Sequence, residues 1–256
     1  MSKVNLAEAL EATKPTAPRV LTIDIETSPA TVRTYGLFNQ NIGITQIVEP
    51  TRMLCFAGKW LDESKVHYFS EFHDGTATMI KSAWHMMNDA DVIVSYNGPG
   101  FDIKHLHREF LLAGMPPPSP HQDIDLLRVM RARFKFMSNK LAYVTTALGM
   151  ETKLDTGGQA LWNAVLDGNP KAWAKFRRYN KQDVVITENL LRLLGPWIKG
   201  PHAGTFADNM AGCHSCGSTA MVPAGLVHTK TTTYPQARCA CGAWNRILKN
   251  GETRPA

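Results

Sequence analysis

The chain has 256 residues, 44% of them hydrophobic and 20% charged, with a formal net charge of +6. That length suits one full domain plus a small one, and the composition is ordinary for a soluble globular protein. No apolar run reaches the roughly 18 residues of a membrane span, so no membrane partner is expected, and the cationic excess suits a polyanionic one.

Residues 1–18 read as a mobile arm with a short helix over 4–12, ended by Pro15 and Pro18. Glu8, Glu11 and the lack of an apolar core segment argue against a signal peptide, so a cytoplasmic location is expected. Next comes Arg19-Val-Leu-Thr-Ile-Asp-Ile-Glu-Thr27, a strand by its β-branched, apolar run. Alternation turns Leu21, Ile23 and Ile25 to one side and Thr22, Asp24 and Glu26 to the other. Carboxylates two residues apart on one strand face, about 7 Å along the chain, repel each other and resist desolvation. A divalent cation relieves both costs, because carboxylate oxygens are its natural ligands.

The stretch 28–51 is a long polar connection carrying Tyr35 and Phe38, which either pack on the domain or serve function. Residues 53–60 and 66–70 predict two strands joined as a hairpin around 62–64. A helix is expected over 76–88 and a short buried strand over 92–95. Cys55, alone in an apolar strand, reads as a core thiol. The turn Tyr96-Asn-Gly-Pro-Gly-Phe-Asp102 leads into a helix over 103–113, stopped by Gly114 and Pro116. Asp102 could be a plain N-cap, but strand-to-helix turns are also where open α/β sheets place ligands. A short edge strand over 124–127 precedes a basic helix with Arg128, Arg131, Arg133 and Lys135. Ser138 is expected to cap a further helix with Leu141, Val144 and Leu148. Residues 153–158 read as a loop, and 173–194 as the long last helix. On that helix Tyr179 and Asp183 are four apart and share a face, with Asp183 beside the apolar stripe of Ile186, Leu190 and Leu193. A carboxylate there needs a partner.

The element order predicts an α/β domain with a mixed sheet and helices on its faces. Residues 201–212 read as a linker rich in Gly, His and Ala. Beyond it, Cys213-His-Ser-Cys216 and Cys239-Ala-Cys241 are two thiol pairs, each followed by glycine. A segment this small cannot fold on its own core, and in a cytosolic chain its staple is zinc more often than a disulfide. The pattern is that of a zinc ribbon over 213–256, held by Cys213, Cys216, Cys239 and Cys241 on one structural Zn²⁺. The second pair has one intervening residue where ribbons usually have two, which leaves His214 or His228 as an alternative ligand. The module's cations, Lys230, Arg238, Arg246, Lys249 and Arg254, suit nucleic-acid contact, with protein docking as the alternative.

Asp24-Ile-Glu26, Asn97-Gly-Pro-Gly-Phe-Asp102 and Tyr179-Asn-Lys-Gln-Asp183 occur in the order of the three exonuclease motifs of the DnaQ-like, RNase H-fold DEDD superfamily. Over residues 19–200 the chain resembles that family, and the tyrosine resembles its DEDDy branch. The long connection after the first motif resembles versions encoded by bacteriophages. The resemblance implies an RNase H-like mixed five-stranded sheet flanked by helices. It also implies 3′→5′ hydrolysis of single-stranded DNA or RNA, DNA before RNA, using two Mg²⁺ or Mn²⁺ ions. Asp24 would bridge the ions, Glu26 and Asp183 would hold the one that activates water, and Asp102 would serve the other. Tyr179 would orient the water. Thr27, Asn97 and Phe101 beside the motifs, with Tyr35 and Phe38, are candidates for substrate contact. No polymerase-sized region follows, so proofreading would occur in trans with a polymerase or other replication protein. An RNA-trimming or structure-specific nuclease on the same fold is the alternative. A catalytically silent nucleic-acid-binding protein is the other, and the presence of all four carboxylates and Tyr179 argues against it.

Overall fold

The computed structural model describes residues 18–61, 63–150, 157–201 and 209–256. The expected arm and its helix, most of the loop over 153–158 and the centre of the linker lie outside those residues. The chain divides into two compact units, Arg19–Leu190 and the part that follows Leu190.

In the first unit β1 (Val20–Thr27) is followed by two very short strands, β2 (Thr31–Val32) and β3 (Ile47–Glu49), which pair only with each other. The expected connection therefore folds back on itself as a small ribbon. Then come β4 (Met53–Trp60), β5 (His67–Ser70), helix α1 (Thr76–Asn88), β6 (Val92–Ser95) and α2 (Asp102–Leu112). They are followed by β7 (Gln122–Asp125), α3 (Leu126–Arg133), α4 (Leu141–Ala147), α5 (Gln159–Leu166) and α6 (Pro170–Leu194). The main sheet has five strands in the order β5-β4-β1-β6-β7. β4 is antiparallel to β1 and β5, whereas β6 runs parallel to β1 and β7. The expected mixed five-stranded sheet with flanking helices is borne out.

Two cores sandwich this sheet. On one face Leu21, Ile23 and Ile25 pack with Met79, Ala83 and Met87 of α1 and with Ile103, Leu106 and Phe110 of α2. The other core joins Leu54 and Cys55 to Leu161 and Val165 of α5 and to Trp173 and Phe176 of α6. All eight residues of β4 are buried, as a central strand covered on both faces requires. One is Lys59, which ion-pairs with the buried Glu188 of α6.

Three expectations need correction. The helix α5 lies in a stretch, 159–172, to which the sequence pattern assigns no element, and Pro170 starts α6 three residues early, at a position suited to proline. Ser138 does not cap α4: Lys140 holds the N-cap position, and the Ser138 hydroxyl accepts from the Lys140 amide at 3.3 Å. Asp102 is the first residue of α2, not its N-cap, and its carboxylate is used elsewhere.

The second unit contains an antiparallel sheet of β8 (Met221–His228), β9 (Thr233–Cys239), β10 (Trp244–Ile247) and β11 (Thr253–Pro255), ordered β11-β10-β9-β8. Among the described residues its buried hydrophobic cluster is Cys213, Cys239 and Ala243, with Met221 against it.

Candidate active site

Pairing of β1 with β6 ends at Thr22 opposite Val94, whereas pairing with β4 continues to Thr27 opposite Met53. The last turns of β1 thus project past the parallel part of the sheet. The Ile25 amide, beyond the end of the β6 ladder, donates to Asp102 Oδ1 at 3.1 Å. Asp102 is 5% exposed, so this buried carboxylate ties the start of α2 to the acidic strand between its two acids.

The turn that delivers Asp102 is sterically committed. Asn97 has φ 73°, in the left-handed region that asparagine tolerates. Gly98 donates its amide to Ser95 Oγ at 3.1 Å, and a Cβ there would lie 2.0 Å from that oxygen. The Asn97 amide donates to Asp125 Oδ1 at 2.8 Å, and Asp125 also caps α3 through the Leu127 amide. Asn97 therefore links the turn to β7. Phe101 is 39% exposed and stands edge-on to His105, with ring centroids 4.6 Å apart.

α6 crosses the sheet face that bears Asp24 and Glu26. Oxygens of Asp24, Glu26 and Asp183 lie within 4.8 Å of one another. Asp183 is 1% exposed and the strand acids are half-buried. Asp102 is outside this trio and beside it, through its bond to the strand. Tyr179, one turn before Asp183, is buried. Burial first, then the charges of Asp183, Glu26 and Asp24, push its phenol well above the ordinary value. Tyr179 is therefore a neutral hydrogen-bonding phenol at physiological pH.

The sequence reading assigned no role to Asn180, although it sits inside the third motif. Its Nδ2 donates to Asp24 Oδ2 at 2.6 Å and to the Asp24 carbonyl at 3.2 Å. Its Oδ1 accepts from the Cys55 thiol at 3.5 Å, which directs the amide nitrogen toward Asp24. Cys55 lies opposite Glu26 on β4 and is fully buried. Its thiol is raised far above the ordinary range by burial first and then by Glu26, so it stays a neutral donor. Trp162, on the unforeseen α5, donates to the Thr27 carbonyl at 3.1 Å and stands edge-on to Tyr179, with ring centroids 6.3 Å apart. The signal available in sequence was a polar residue, Asn180, on the buried stripe that also holds Asp183 and Thr187.

Three carboxylates this close repel one another, and hard oxygen donors match Mg²⁺ or Mn²⁺ in chemistry. The donor set therefore fits the ions the motifs imply. Tyr35 and Phe38 are 108% and 82% exposed, so they do not pack on the domain. The helix faces with Arg128, Arg131 and Arg133, and with Lys171, Arg177 and Arg178, are also exposed.

The second cluster is the four thiols of Cys213, Cys216, Cys239 and Cys241, whose sulfurs lie within 4.8 Å of one another. Cys213 and Cys241 sulfurs are 3.7 Å apart, and those of Cys216 and Cys239 are 3.6 Å apart. A disulfide needs about 2.05 Å, whereas four thiolates tetrahedrally around zinc at about 2.3 Å sit about 3.8 Å apart. Burial pushes Cys216 up to about 12, and the neighbouring thiols add to that. Burial also raises Cys213, but the Cys216 and Ser215 amides and Asn245 outweigh it and leave Cys213 lowered. Neither alternative histidine belongs to the cluster. His214 Nδ1 meets Asn245 Oδ1 at 2.9 Å, and His228 Nδ1 meets Thr233 Oγ1 at 2.8 Å. The four-strand sheet with its four close cysteines is compatible with a zinc ribbon.

The chain matches the family model of the RNase H superfamily over residues 45–195, a range that holds Asp102, Tyr179 and Asp183 and starts after β1. The expected RNase H-like fold is thereby borne out. Among solved structures the chain is similar to the family B DNA polymerase from the hyperthermophilic archaeon Pyrobaculum calidifontis, with 19% identity and a TM-score of 0.53. That likeness covers 87% of this chain and 32% of the polymerase, so the chain spans well under half of the polymerase's length, and the likeness is one of fold. A search of curated proteins finds no match. Among the described residues no helix is long and apolar enough to cross a membrane.

Proposed function

The chain belongs to the RNase H superfamily, and on that premise we propose that it is a metal-dependent 3′→5′ exonuclease of single-stranded nucleic acid. The observation that carries this reading is the convergence of Asp24, Glu26 and Asp183 beside the buried Tyr179. The motif order supports the DEDDy branch, and a fold neighbour that is a DNA polymerase favours DNA over RNA.

Asp24, Glu26 and Asp183 would hold two Mg²⁺ or Mn²⁺ ions, with Asp102 serving the second. Ions bound there would acidify the attacking water and stabilise the leaving 3′ oxygen. The protein's own contribution is placement. Asn180 fixes the Asp24 carboxylate through its 2.6 Å bond, and Cys55 fixes Asn180. Asp102 anchors the strand between the two acids. Tyr179 keeps its proton and can donate a hydrogen bond to the nucleophilic water. A phenol, with an ordinary pKa near 10, is a poor base at neutral pH, so its role is orientation. Thr27, Asn97 and Phe101 are proposed to contact the terminal nucleotide, and the exposed Tyr35 and Phe38 to stack unpaired bases. The Cys213, Cys216, Cys239 and Cys241 set is proposed to hold one Zn²⁺, with the exonuclease domain over 19–200 and the ribbon over 213–256. A polymerase or other replication protein is proposed as its partner.

The deciding experiment incubates the protein with DNA and RNA oligonucleotides labelled at the 5′ end, with and without Mg²⁺ or Mn²⁺. A metal-dependent ladder shortening from the 3′ end is expected on single strands. Internal cuts would instead identify a structure-specific nuclease, and an RNA-only ladder an RNA-trimming enzyme. Intact substrate under every condition would remove the nuclease reading.

A further inference from the structure

The sheet of the second unit has two chemically different faces. Ala237, Cys239 and Asn245 point inward and are buried, and Asn245 Oδ1 accepts the His214 amide at 2.8 Å. Alternation along β9 and β10 therefore turns Arg238, Trp244 and Arg246 outward. Cross-strand pairing aligns the outward side chains in two rows. Val222, Arg238 and Trp244 make one. Gln236, Arg246 and Arg254 make the other.

Cations and rings alternate on this face. The Arg238 guanidinium lies over the Trp244 ring at 5.3 Å, and that of Arg246 over the Tyr234 ring at 5.5 Å. Val222 is 69% exposed and Trp244 is 41% exposed, an apolar and aromatic surface facing water. From residue 209 onward the sequence has five Lys and Arg and one acid, Glu252. Glu252 pairs with Arg254 at 3.0 Å, which leaves Arg238 and Arg246 as the cations seated on rings. A recess beside the second row is lined by Lys199, His228 and Arg246 among others, and among the described residues no acidic side chain lines it.

Two features select the occupant. The cationic excess calls for a polyanion. The exposed rings and planar guanidinium groups call for flat π-faces, which an acidic peptide lacks and which a duplex hides inside its stack. We infer that the outer face of this sheet binds single-stranded nucleic acid, its phosphates on Arg238 and Arg246 and its bases on Trp244 and Tyr234. The site lies outside the carboxylate cluster and does not depend on the nuclease reading.

The test uses the full chain, zinc-loaded and without added Mg²⁺ or Mn²⁺, so that nothing is cut. Anisotropy of fluorescein-labelled oligo(dT) and oligo(U) of about 30 nucleotides measures binding, and a duplex of the same length is the competitor. Salt-dependent binding of single strands is expected, with weak competition by duplex. The double variant Arg238→Glu/Trp244→Ala should weaken it roughly 10- to 10²-fold while zinc content stays at wild-type level. Arg238→Lys/Trp244→Phe should recover most of the affinity, because a charge and a ring remain. If the first variant sheds zinc, Val222→Glu puts an anion on the same face at an exposed position and should weaken binding roughly 3- to 10-fold. Unchanged affinity in the zinc-loaded variants overturns the inference, as does duplex binding as tight as single-strand binding. A wild-type protein that binds but never cuts would sink the nuclease reading alone.

Discussion

Asp24, Glu26 and Asp183 sit on a strand and a helix that bury the centre of a sandwiched sheet, whereas the four thiols surround a core of Cys213, Cys239 and Ala243. In the first region packing brings like charges together and holds them there. Sixteen buried residues on one face of the sheet outweigh the repulsion of three carboxylates. In the second region there is too little apolar surface to hold four sulfurs within 4.8 Å, and on the proposed reading a bound cation would do it. The fold holds the ligands in one region, and the ligands hold the fold in the other. Metal removal should therefore have opposite consequences in the two.

The largest effect is expected in the ribbon. The protein as purified should carry about one tightly bound zinc, worth on the order of 10 kcal/mol to the small unit. Cys239→Ser should lose it and erase hydrogen-exchange protection in β8–β11, while β1, β4 and β6 keep theirs. Metal analysis and exchange mass spectrometry check this. A zinc-free native protein with Cys213 and Cys239 freely alkylated would break the comparison.

The second effect falls on catalysis alone. Asp24→Asn should reduce cleavage to background, at least about 10³-fold, because on the proposed reading its charge would serve both ions. Its melting temperature should stay near wild type or rise, since the substitution relieves repulsion with Glu26 and Asp183. Calorimetry beside the cleavage assay decides; a collapse of the fold would mean that these acids are structural.

Smaller effects separate placement from chemistry. Asn180→Ala removes the 2.6 Å bond that orients Asp24 and should slow cleavage roughly 10- to 10²-fold. The loss should appear in kcat with KM little changed, and more Mn²⁺ should be needed for half-maximal rate. A normal metal requirement and normal kcat would leave Asn180 as a packing residue.

The mildest is Tyr179→Phe, expected to cost roughly 10-fold in kcat while keeping the wild-type alkaline limb of the pH–rate profile. The limb should persist because the phenol is assigned to orienting the water and not to taking its proton. With its pKa raised in the fold, this residue's contribution to stability is complete below the unfolded phenol value near 10 and lost only as pH rises beyond it. Loss of the alkaline limb in Tyr179→Phe would show that the phenol itself titrates in the reaction.

Much of the fold was legible because local pattern and global role agree. The alternation of β1, the apolar run of β4 and the glycine-rich turn before α2 each read locally, and their order along the chain points to a mixed sheet, whereas the strand order is known only from the structure. The pairing of Asp24 with Glu26 and the helical spacing of Tyr179 and Asp183 were readable for the same reason. Periodicity fixes which side chains share a face of one element.

It does not fix what lies across from that face. That Asp102 would accept the Ile25 amide depends on where the β6 ladder stops, and that Asn180 would grip Asp24 depends on how α6 crosses β1. Trp162 could not be placed because its helix, α5, is short and becomes meaningful only when packed on α6. The same holds for the ribbon. Cysteine spacing foretold the thiol cluster, but the rows of arginines and rings on its outer face exist only through strand register. The physical reason is range. Side-chain periodicity is a property of neighbours in sequence, whereas these contacts join residues up to 156 positions apart, and only the packing of whole elements decides them.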